Sequence, residues 1–224
     1  MMHADKAKHL TKQDAFPYEC KNCGNCCRFY TNIRLTPLDI FKMARYLSMD
    51  TKNFINTYCT VNDKKEILPV VEFKKSSESD YCPLYENNKC TVHVSKPAAC
   101  ALYPLARFPE SATGQPLYFV QPHDCSDNAG NRSVSDWLKM YNLTDEEGFV
   151  TEWHSFLTEA MEAIAKTGAV AAIRIGTNEI YLHSLILTYM YFQYNGDKDF
   201  LTQFKDNRET INEMLELFLE FGND

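Results

Sequence analysis

Four cysteines stand within eight positions near the start of the chain, in the stretch CKNCGNCC, and this stretch restricts the fold more than any other feature. They are Cys20, Cys23, Cys26 and Cys27, which repeat the spacing Cys-x2-Cys twice and end in an adjacent pair. Two cysteines at this spacing can bind one metal ion from a single tight turn. Gly24 would let the backbone bend closely around such an ion. The stretch therefore predicts a metal site.

The compartment of the protein decides how its nine cysteines are interpreted. The first residues, MMHADKAKHLTKQDAF, contain no apolar run, so we expect no secretory signal and a cytoplasmic protein. Thiols stay reduced in the cytosol, where a dense cysteine pattern favours metal binding or catalysis over disulfides. An odd number of cysteines weakens a disulfide framework further. A redox or disulfide role and simple packing are the alternatives to metal binding.

Charge and hydropathy exclude two classes of partner. The formal net charge of -7 argues against nucleic-acid binding, because a nucleic-acid surface needs an excess of Lys and Arg on one face. The least charged long segment, IYLHSLILTYMYFQYNG, is short and carries several polar residues. A membrane span needs about 20 predominantly apolar residues, so we expect none.

Further cysteines downstream can complete the site. The stretch YCPLYENNKC places Cys82 and Cys90 on either side of a predicted hairpin turn at residues 86–88, and Cys100 follows Pro97 on a predicted helical turn. Cys125 lies in QPHDC. His123 in the same stretch could replace a cysteine as a ligand, but we interpret it as an ordinary loop residue. Eight cysteines are therefore candidate metal ligands: Cys20, Cys23, Cys26, Cys27, Cys82, Cys90, Cys100 and Cys125.

Two further expectations concern single cysteines. Neighbouring side chains in an extended segment point to opposite sides, so Cys26 and Cys27 are expected to serve two separate metal sites. Cys59 stands alone, and we expect it to be a core residue of an amphipathic helix that begins at Thr51. We assign His93 a structural or surface role.

The order of patterns along the chain predicts an α+β fold. A cysteine-rich, metal-organised domain is expected over residues 14–130, with short antiparallel strands at KEILPVVEFKK and PLYFVQP. A mainly helical C-terminal half, residues 131–224, is expected to pack with it. Thr36 and Pro37 predict a helix start, and a long helix is expected from a capping box at Thr144 to a stop at Gly168.

The cysteine pattern resembles the YkgJ-type cysteine-cluster family, which is described as a zinc- or iron-chelating domain. The resemblance covers about residues 18–127 and rests on CKNCGNCC, on CPLYENNKCTVHVSKPAACALYP and on Cys125. It implies the same eight cysteine ligands. The chain departs from the family at His93, Lys96 and Ala101, which leaves the ligands intact but weakens any transfer of partner contacts. A related arrangement occurs in flagellin N-methylases, whose activity is not transferred, because no adenosylmethionine motif is visible.

The spacing leaves the metal and the function open. Three cysteines in Cys-x2-Cys-x2-Cys spacing, with Cys82 followed by Pro83, are typical of loops that hold an iron-sulfur cluster, which is our first prediction. Zinc is the alternative, since it also binds thiolates. The expected function is a metal-binding protein with a redox or electron-transfer role. A zinc-stabilised binding or structural module without catalysis and a metal-dependent modification enzyme are the alternatives. No catalytic residue is predicted, and an unknown protein partner is expected.

Overall fold

The structure is a computed structural model that describes residues 9–21, 23–29, 33–62, 68–74, 81–109, 116–122, 130–171 and 183–221. Its helices are α1 (Asn25–Phe29), α2 (Pro37–Tyr46), α3 (Thr51–Tyr58), α4 (Ala98–Leu102), α5 (Val134–Met140), α6 (Glu147–Ala171) and α7 (Phe200–Phe221). Its strands are β1 (Ala15–Phe16), β2 (Cys59–Asn62), β3 (Val70–Phe73), β4 (Tyr85–Glu86), β5 (Lys89–Cys90), β6 (Leu105–Pro109), β7 (Pro116–Val120) and β8 (Arg132–Ser133). Among the described helices, none combines the length and hydropathy that a membrane crossing requires.

The strands form antiparallel pairs, and the predicted α+β class is confirmed. The pairs are β1 with β8, β2 with β3, β4 with β5, and β6 with β7. The chain divides into two compact units, the first made of Met1–Tyr30 with Ser76–Glu146 and the second of Thr31–Lys75 with Glu147–Asp224. The second unit thus takes in residues that precede position 130, and the domain limits 14–130 and 131–224 stay a prediction.

An aromatic core supports the first unit. The indole ring of Trp137 packs edge-on against Phe16 and Tyr18, with ring centroids 5.6 and 5.4 Å apart. Its N–H donates to the carbonyl oxygen of Ala101 at 3.0 Å, so the polar atom of this buried side chain is satisfied. The core thereby fixes α4 and the segment that leads into the cysteine-rich stretch.

Local signals set the helices of the second unit. Thr36 caps α2: its hydroxyl oxygen accepts from the backbone N–H of Asp39 at 3.2 Å, and the Asp39 carboxylate accepts from the backbone N–H of Thr36 at 2.9 Å. This capping box confirms the predicted start at Pro37. The predicted helix at Thr51 is also confirmed as α3. Cys59 is buried, as expected, but it ends α3 and begins β2. The prediction that it lies within a helix is wrong.

The long helix of the second unit differs from its prediction at both ends. α6 begins at Glu147, after a turn that includes Thr144, and it continues through Gly168 to Ala171. A glycine inside a helix costs only about 1 kcal/mol, and the alanines and valine after Gly168 continue the apolar pattern.

A further segment, Thr188–Phe192, is a π-helix, and the side-chain amide of Asn207 donates to the Tyr189 carbonyl oxygen at 2.8 Å.

One arginine joins the two longest helices of the second unit. Arg208 on α7 donates to Glu152 at 2.7 Å and to both carboxylate oxygens of Glu159 at 2.7 and 2.8 Å. Both glutamates belong to α6, seven residues apart and therefore on the same face of the helix. The Arg208 side chain is only 19% exposed, although the two carboxylates are about half exposed. The guanidinium fork therefore holds α7 in register with α6.

Replacing Arg208 with methionine is expected to lower the free energy of unfolding by about 1 kcal/mol, because the two-carboxylate contact is lost while the apolar stem is kept. Urea unfolding followed by tryptophan fluorescence measures this. Lys205→Met, at an exposed position of the same helix, is the control and is expected to change stability by less than about 0.5 kcal/mol. The difference in the free energy of unfolding between the two variants should shrink in 1 M salt, where the Debye length is about 3 Å. Equal losses of stability in both variants would contradict the role of Arg208.

Candidate metal centre

Two elements of the first unit bring four of the predicted ligands together. α1 carries Cys26 and Cys27, whereas Cys90 lies on β5 and Cys82 lies just before β4. The backbone N–H of Cys82 donates to the carbonyl oxygen of Cys27 at 2.9 Å, so the two segments are joined beside the thiols themselves. We call Cys26, Cys27, Cys82 and Cys90 the thiol cluster.

The thiols of the cluster contact one another. Cys27 is hydrogen-bonded through its side chain to both Cys26 and Cys90. Cys82 lies near enough to Cys90 and Cys26 to be affected by their charges. Cys26, Cys27 and Cys90 are thus linked by hydrogen bonds, and Cys82 lies beside them.

The conformation of α1 removes the premise on which Cys26 and Cys27 were assigned to different sites, and the two-site assignment itself stays a prediction. That expectation assumed an extended segment, but the two residues lie in the first turn of α1. Consecutive side chains of a helix differ by about 100° in direction rather than 180°, so both can reach the same surroundings. Their mutual hydrogen bond places them in one cluster.

Hydrogen bonding within the cluster divides the thiols into two states. The bond with Cys27 lowers the pKa of Cys26 to about 6 and the pKa of Cys90 to about 7, against the effect of burial. The same two bonds raise the pKa of Cys27, and burial is the main cause that raises the pKa of Cys82 to about 11. Since the thiolate is the form that binds metal, the lowered pKa values of Cys26 and Cys90 favour their binding form.

Lys96 supplies positive charge beside the cluster. Its ammonium group lies over the ring of Tyr141, 4.0 Å from the centroid, and it contributes to the lowered pKa of both Cys26 and Cys90. Burial and the same ammonium lower the pKa of His93, which is partly buried and therefore neutral at pH 7. Sequence analysis noted Lys96 only as a departure from a family pattern and missed this electrostatic role.

The other predicted ligands occupy different surroundings. Cys20 is partly buried and packs against the core of the first unit, and Cys23 is exposed. Cys100 is partly buried on α4, which confirms the predicted helical turn after Pro97. Cys125 and His123 lie outside the described residues. None of the described cysteines is in a disulfide, and Cys59 belongs to the second unit.

The donor set of the thiol cluster suits a metal that prefers sulfur. Four neighbouring cysteines, two of them with a lowered pKa, match the chemistry of zinc and iron thiolate sites. Within the described part of the chain, however, no three His, Cys, Asp or Glu side chains converge as the ligands of one ion. The chemistry of the four donors therefore fits a metal. Their side-chain directions do not, because they are those of thiols linked through the hydrogen bonds of Cys27.

Sequence analysis also missed how the cluster is held in place. The predicted hairpin turn is confirmed, with Asn87 and Asn88 at φ values of 49° and 62° between β4 and β5. Asparagine tolerates such positive φ values, which two-residue hairpin turns of this kind require. Arg28 on α1 donates from Nε to the hydroxyl of Tyr85 on β4 at 3.0 Å. The pair of asparagines was a visible signal for the turn, but no local pattern connects Arg28 with Tyr85.

Comparison with protein families agrees with this site. Residues 19–126 match the model of the CxxCxxCC family, which is described as a putative zinc- or iron-chelating domain. These residues, just under half of the chain, are similar to the CxxCxxCC family. Its signature is met by Cys20, Cys23, Cys26 and Cys27, and the whole thiol cluster lies within the matched residues. No curated protein and no solved structure matches the chain significantly. The similarity to the CxxCxxCC family supports metal binding without distinguishing zinc from iron.

Gly24 is expected to be required for this geometry. Its φ is +74°, and a Cβ atom there would lie 2.7 Å from both Cε2 and Oη of Tyr85. Gly24→Ala should therefore lower the free energy of unfolding by about 1–3 kcal/mol, as measured by urea titration. It should also speed hydrogen exchange in peptides that cover residues 81–90.

Gly148→Ala is the matched control, since a Cβ at Gly148, in the first turn of α6, meets no atom within 4 Å. That change is expected to stabilise the protein by about 0.5–1 kcal/mol, because alanine is the better helix former. Equal stability of the Gly24→Ala variant and the wild type would show that the close approach of Tyr85 is unimportant.

Proposed function

We propose that this protein binds one metal ion, zinc or iron, through the thiolates of Cys26, Cys27, Cys82 and Cys90. The observation that carries this proposal is the backbone hydrogen bond of 2.9 Å from the N–H of Cys82 to the carbonyl oxygen of Cys27, which joins the segment of Cys26 and Cys27 to the hairpin segment of Cys82 and Cys90. A single tetrahedral ion takes four thiolates, which is the number that this junction supplies. On that count we infer a mononuclear site.

The number of ligands indicates what such a site does. Four protein thiolates fill a tetrahedral coordination sphere and leave no position for substrate, which is the pattern of structural sites. We therefore propose a metal-stabilised module that binds a protein partner. The metal joins α1 to the hairpin and contributes to the folding of this unit. An enzyme that modifies a substrate would need an open position, with only three of the four thiolates bound.

An iron-sulfur cluster with a redox or electron-transfer role is the second candidate. Its support is the repeated Cys-x2-Cys spacing, which adds Cys20 and Cys23 to the ligand supply, together with Cys82-Pro83. The acidic net charge of -7 supports a protein partner over nucleic acid in either case. We also propose a cytoplasmic location, because reduced thiols persist there.

The decisive experiment counts metal and acid-labile sulfide per chain in full-length protein purified without oxygen. One zinc or iron per chain without sulfide is the expected result. A brown protein with iron and sulfide in equal amounts would favour the second candidate instead. A protein that neither retains nor takes up zinc or iron under reducing conditions would overturn metal binding altogether.

Cys27→Ser is expected to abolish or strongly reduce metal binding, because Cys27 contacts two of the other ligands in the cluster. Cys59→Ser serves as the control, since Cys59 is buried at only 4% exposure in the second unit. The control should keep its full metal content and lose only about 1–3 kcal/mol of stability, because a hydroxyl is buried in place of a thiol. Metal analysis and urea unfolding measure the two effects. Loss of a metal equivalent from the Cys59 variant would contradict the ligand assignment.

A further inference from the structure

The positions of two cluster thiols depend on contacts that α1 makes with other elements. α1 is only five residues long, and a helix of that length is not stable by itself in water. Its orientation, and with it the directions of the Cys26 and Cys27 side chains, must come from contacts outside the helix. Besides the backbone bond between Cys82 and Cys27, several of these contacts involve one side chain, that of Tyr85.

Tyr85 contacts both ends of α1. At the N-terminal end, the ring lies so close to Gly24 that a Cβ there would come within 2.7 Å of it. At the C-terminal end, Arg28 donates from Nε to the Tyr85 hydroxyl at 3.0 Å, and the guanidinium carbon lies 5.7 Å from the ring centroid. One rigid aromatic side chain therefore spans the helix that carries Cys26 and Cys27.

The same residue is tied to the other two thiols through its backbone. Tyr85 is directly opposite Cys90 in the β4–β5 pair, where side chains on one face lie about 4.5–5.5 Å apart at Cβ. Its backbone N–H donates to the carbonyl oxygen of Cys82 at 3.0 Å. A displacement of Tyr85 would therefore change the position of both Cys82 and Cys90 relative to α1.

The hairpin turn reinforces the contact between Arg28 and Tyr85. The Nη2 atom of Arg28 donates to Oδ1 of Asn88 at 3.3 Å, and the Tyr85 hydroxyl lies 3.4 Å from the same oxygen. The two donors therefore converge on one turn residue. Because the guanidinium is a planar fork, it can bond to the tyrosine and the turn together, which the single ammonium of a lysine does less well.

We propose that Tyr85 is a positioning residue of the metal centre. Its hydroxyl, held by Arg28, sets the separation between the Cys26–Cys27 pair on α1 and the Cys82–Cys90 pair at the hairpin. This inference rests on the proposed metal site. Groups that orient metal ligands without touching the ion typically contribute a factor of about 10–100 in affinity, so the effect of the hydroxyl is measurable.

Tyr81 provides a matched control on the same surface. Its ring packs edge-on against Tyr85, with centroids 5.7 Å apart, and it is 42% exposed. Tyr81→Phe and Tyr85→Phe each remove one hydroxyl and keep the aromatic ring. Only the second removes the acceptor of the Arg28 hydrogen bond, so a difference between the two variants reports that bond rather than aromatic packing.

The experiment measures zinc affinity of the full-length reduced protein by competition with a chromophoric chelator. It also records the thiolate-to-cobalt absorption of the cobalt(II)-loaded form. Tyr85→Phe is expected to bind zinc about 10-fold more weakly than the wild type and to show shifted cobalt bands. Tyr81→Phe should match the wild type in both. Arg28→Lys should weaken binding similarly, and the Tyr85→Phe/Arg28→Lys double variant should lose little more than either single one, because both remove one interaction.

Wild-type affinity and an unshifted cobalt spectrum in Tyr85→Phe would overturn the inference while leaving the metal site intact. Equal losses in the Tyr81 and Tyr85 variants would also overturn it, since the effect would then belong to the aromatic pair. Failure of the wild-type protein to bind zinc or cobalt with more than trace affinity would overturn the proposed zinc or iron site itself, and with it the role of Tyr85.

Discussion

The junction between α1 and the β4–β5 hairpin is the constraint on which the candidate metal centre depends. A backbone hydrogen bond of 2.9 Å joins Cys82 to Cys27, and the thiols of Cys26, Cys27 and Cys90 meet beside it. Two segments far apart in the chain must come together there, at an entropic cost that grows with the length of the loop between them. The thiol contacts, the Arg28–Tyr85 bond and a bound metal each oppose that cost.

Electrostatics makes this junction suitable for a cation. The hydrogen bond with Cys27 lowers the pKa of Cys26 and that of Cys90, although the single S–H hydrogen of Cys27 can be donated fully to only one of them at a time. Four thiolates around one divalent ion carry an excess of negative charge. Lys96, stacked on Tyr141, offsets part of that excess. The fold thus combines soft donors with a fixed positive charge, which is the environment in which a thiolate site keeps its ion.

The second unit has a different physical basis. Its helices are fixed by caps, by aromatic packing and by polar groups that satisfy irregular backbone. The hydroxyl of Thr51 donates to the carbonyl oxygen of Phe192 at 2.9 Å, and Asn207 serves the same purpose at Tyr189 and Gln193. These bonds satisfy carbonyl groups in and next to the π-helix, where the regular helical partners are displaced. Cys59 belongs to this unit and is buried in it.

Local sequence determined those features whose causes are local. The capping pair Thr36 and Asp39 specified the start of α2, Pro97 preceded α4, and the Asn87–Asn88 turn specified the hairpin between Cys82 and Cys90. The cysteine spacing alone indicated metal chemistry. Each of these signals acts over a few residues, through a cap, a fixed φ or a tolerated positive φ.

Tertiary structure decided which cysteines come together. The GNCC stretch is too short for its periodicity to distinguish an extended loop from a helix, and only its contacts with Tyr85 and Cys82 make it helical and bring Cys26 and Cys27 into one cluster. The same limit applies to the grouping of α2 and α3 with α6 and α7 in the second unit. Partners for apolar faces are chosen among distant segments, and no local pattern records that choice.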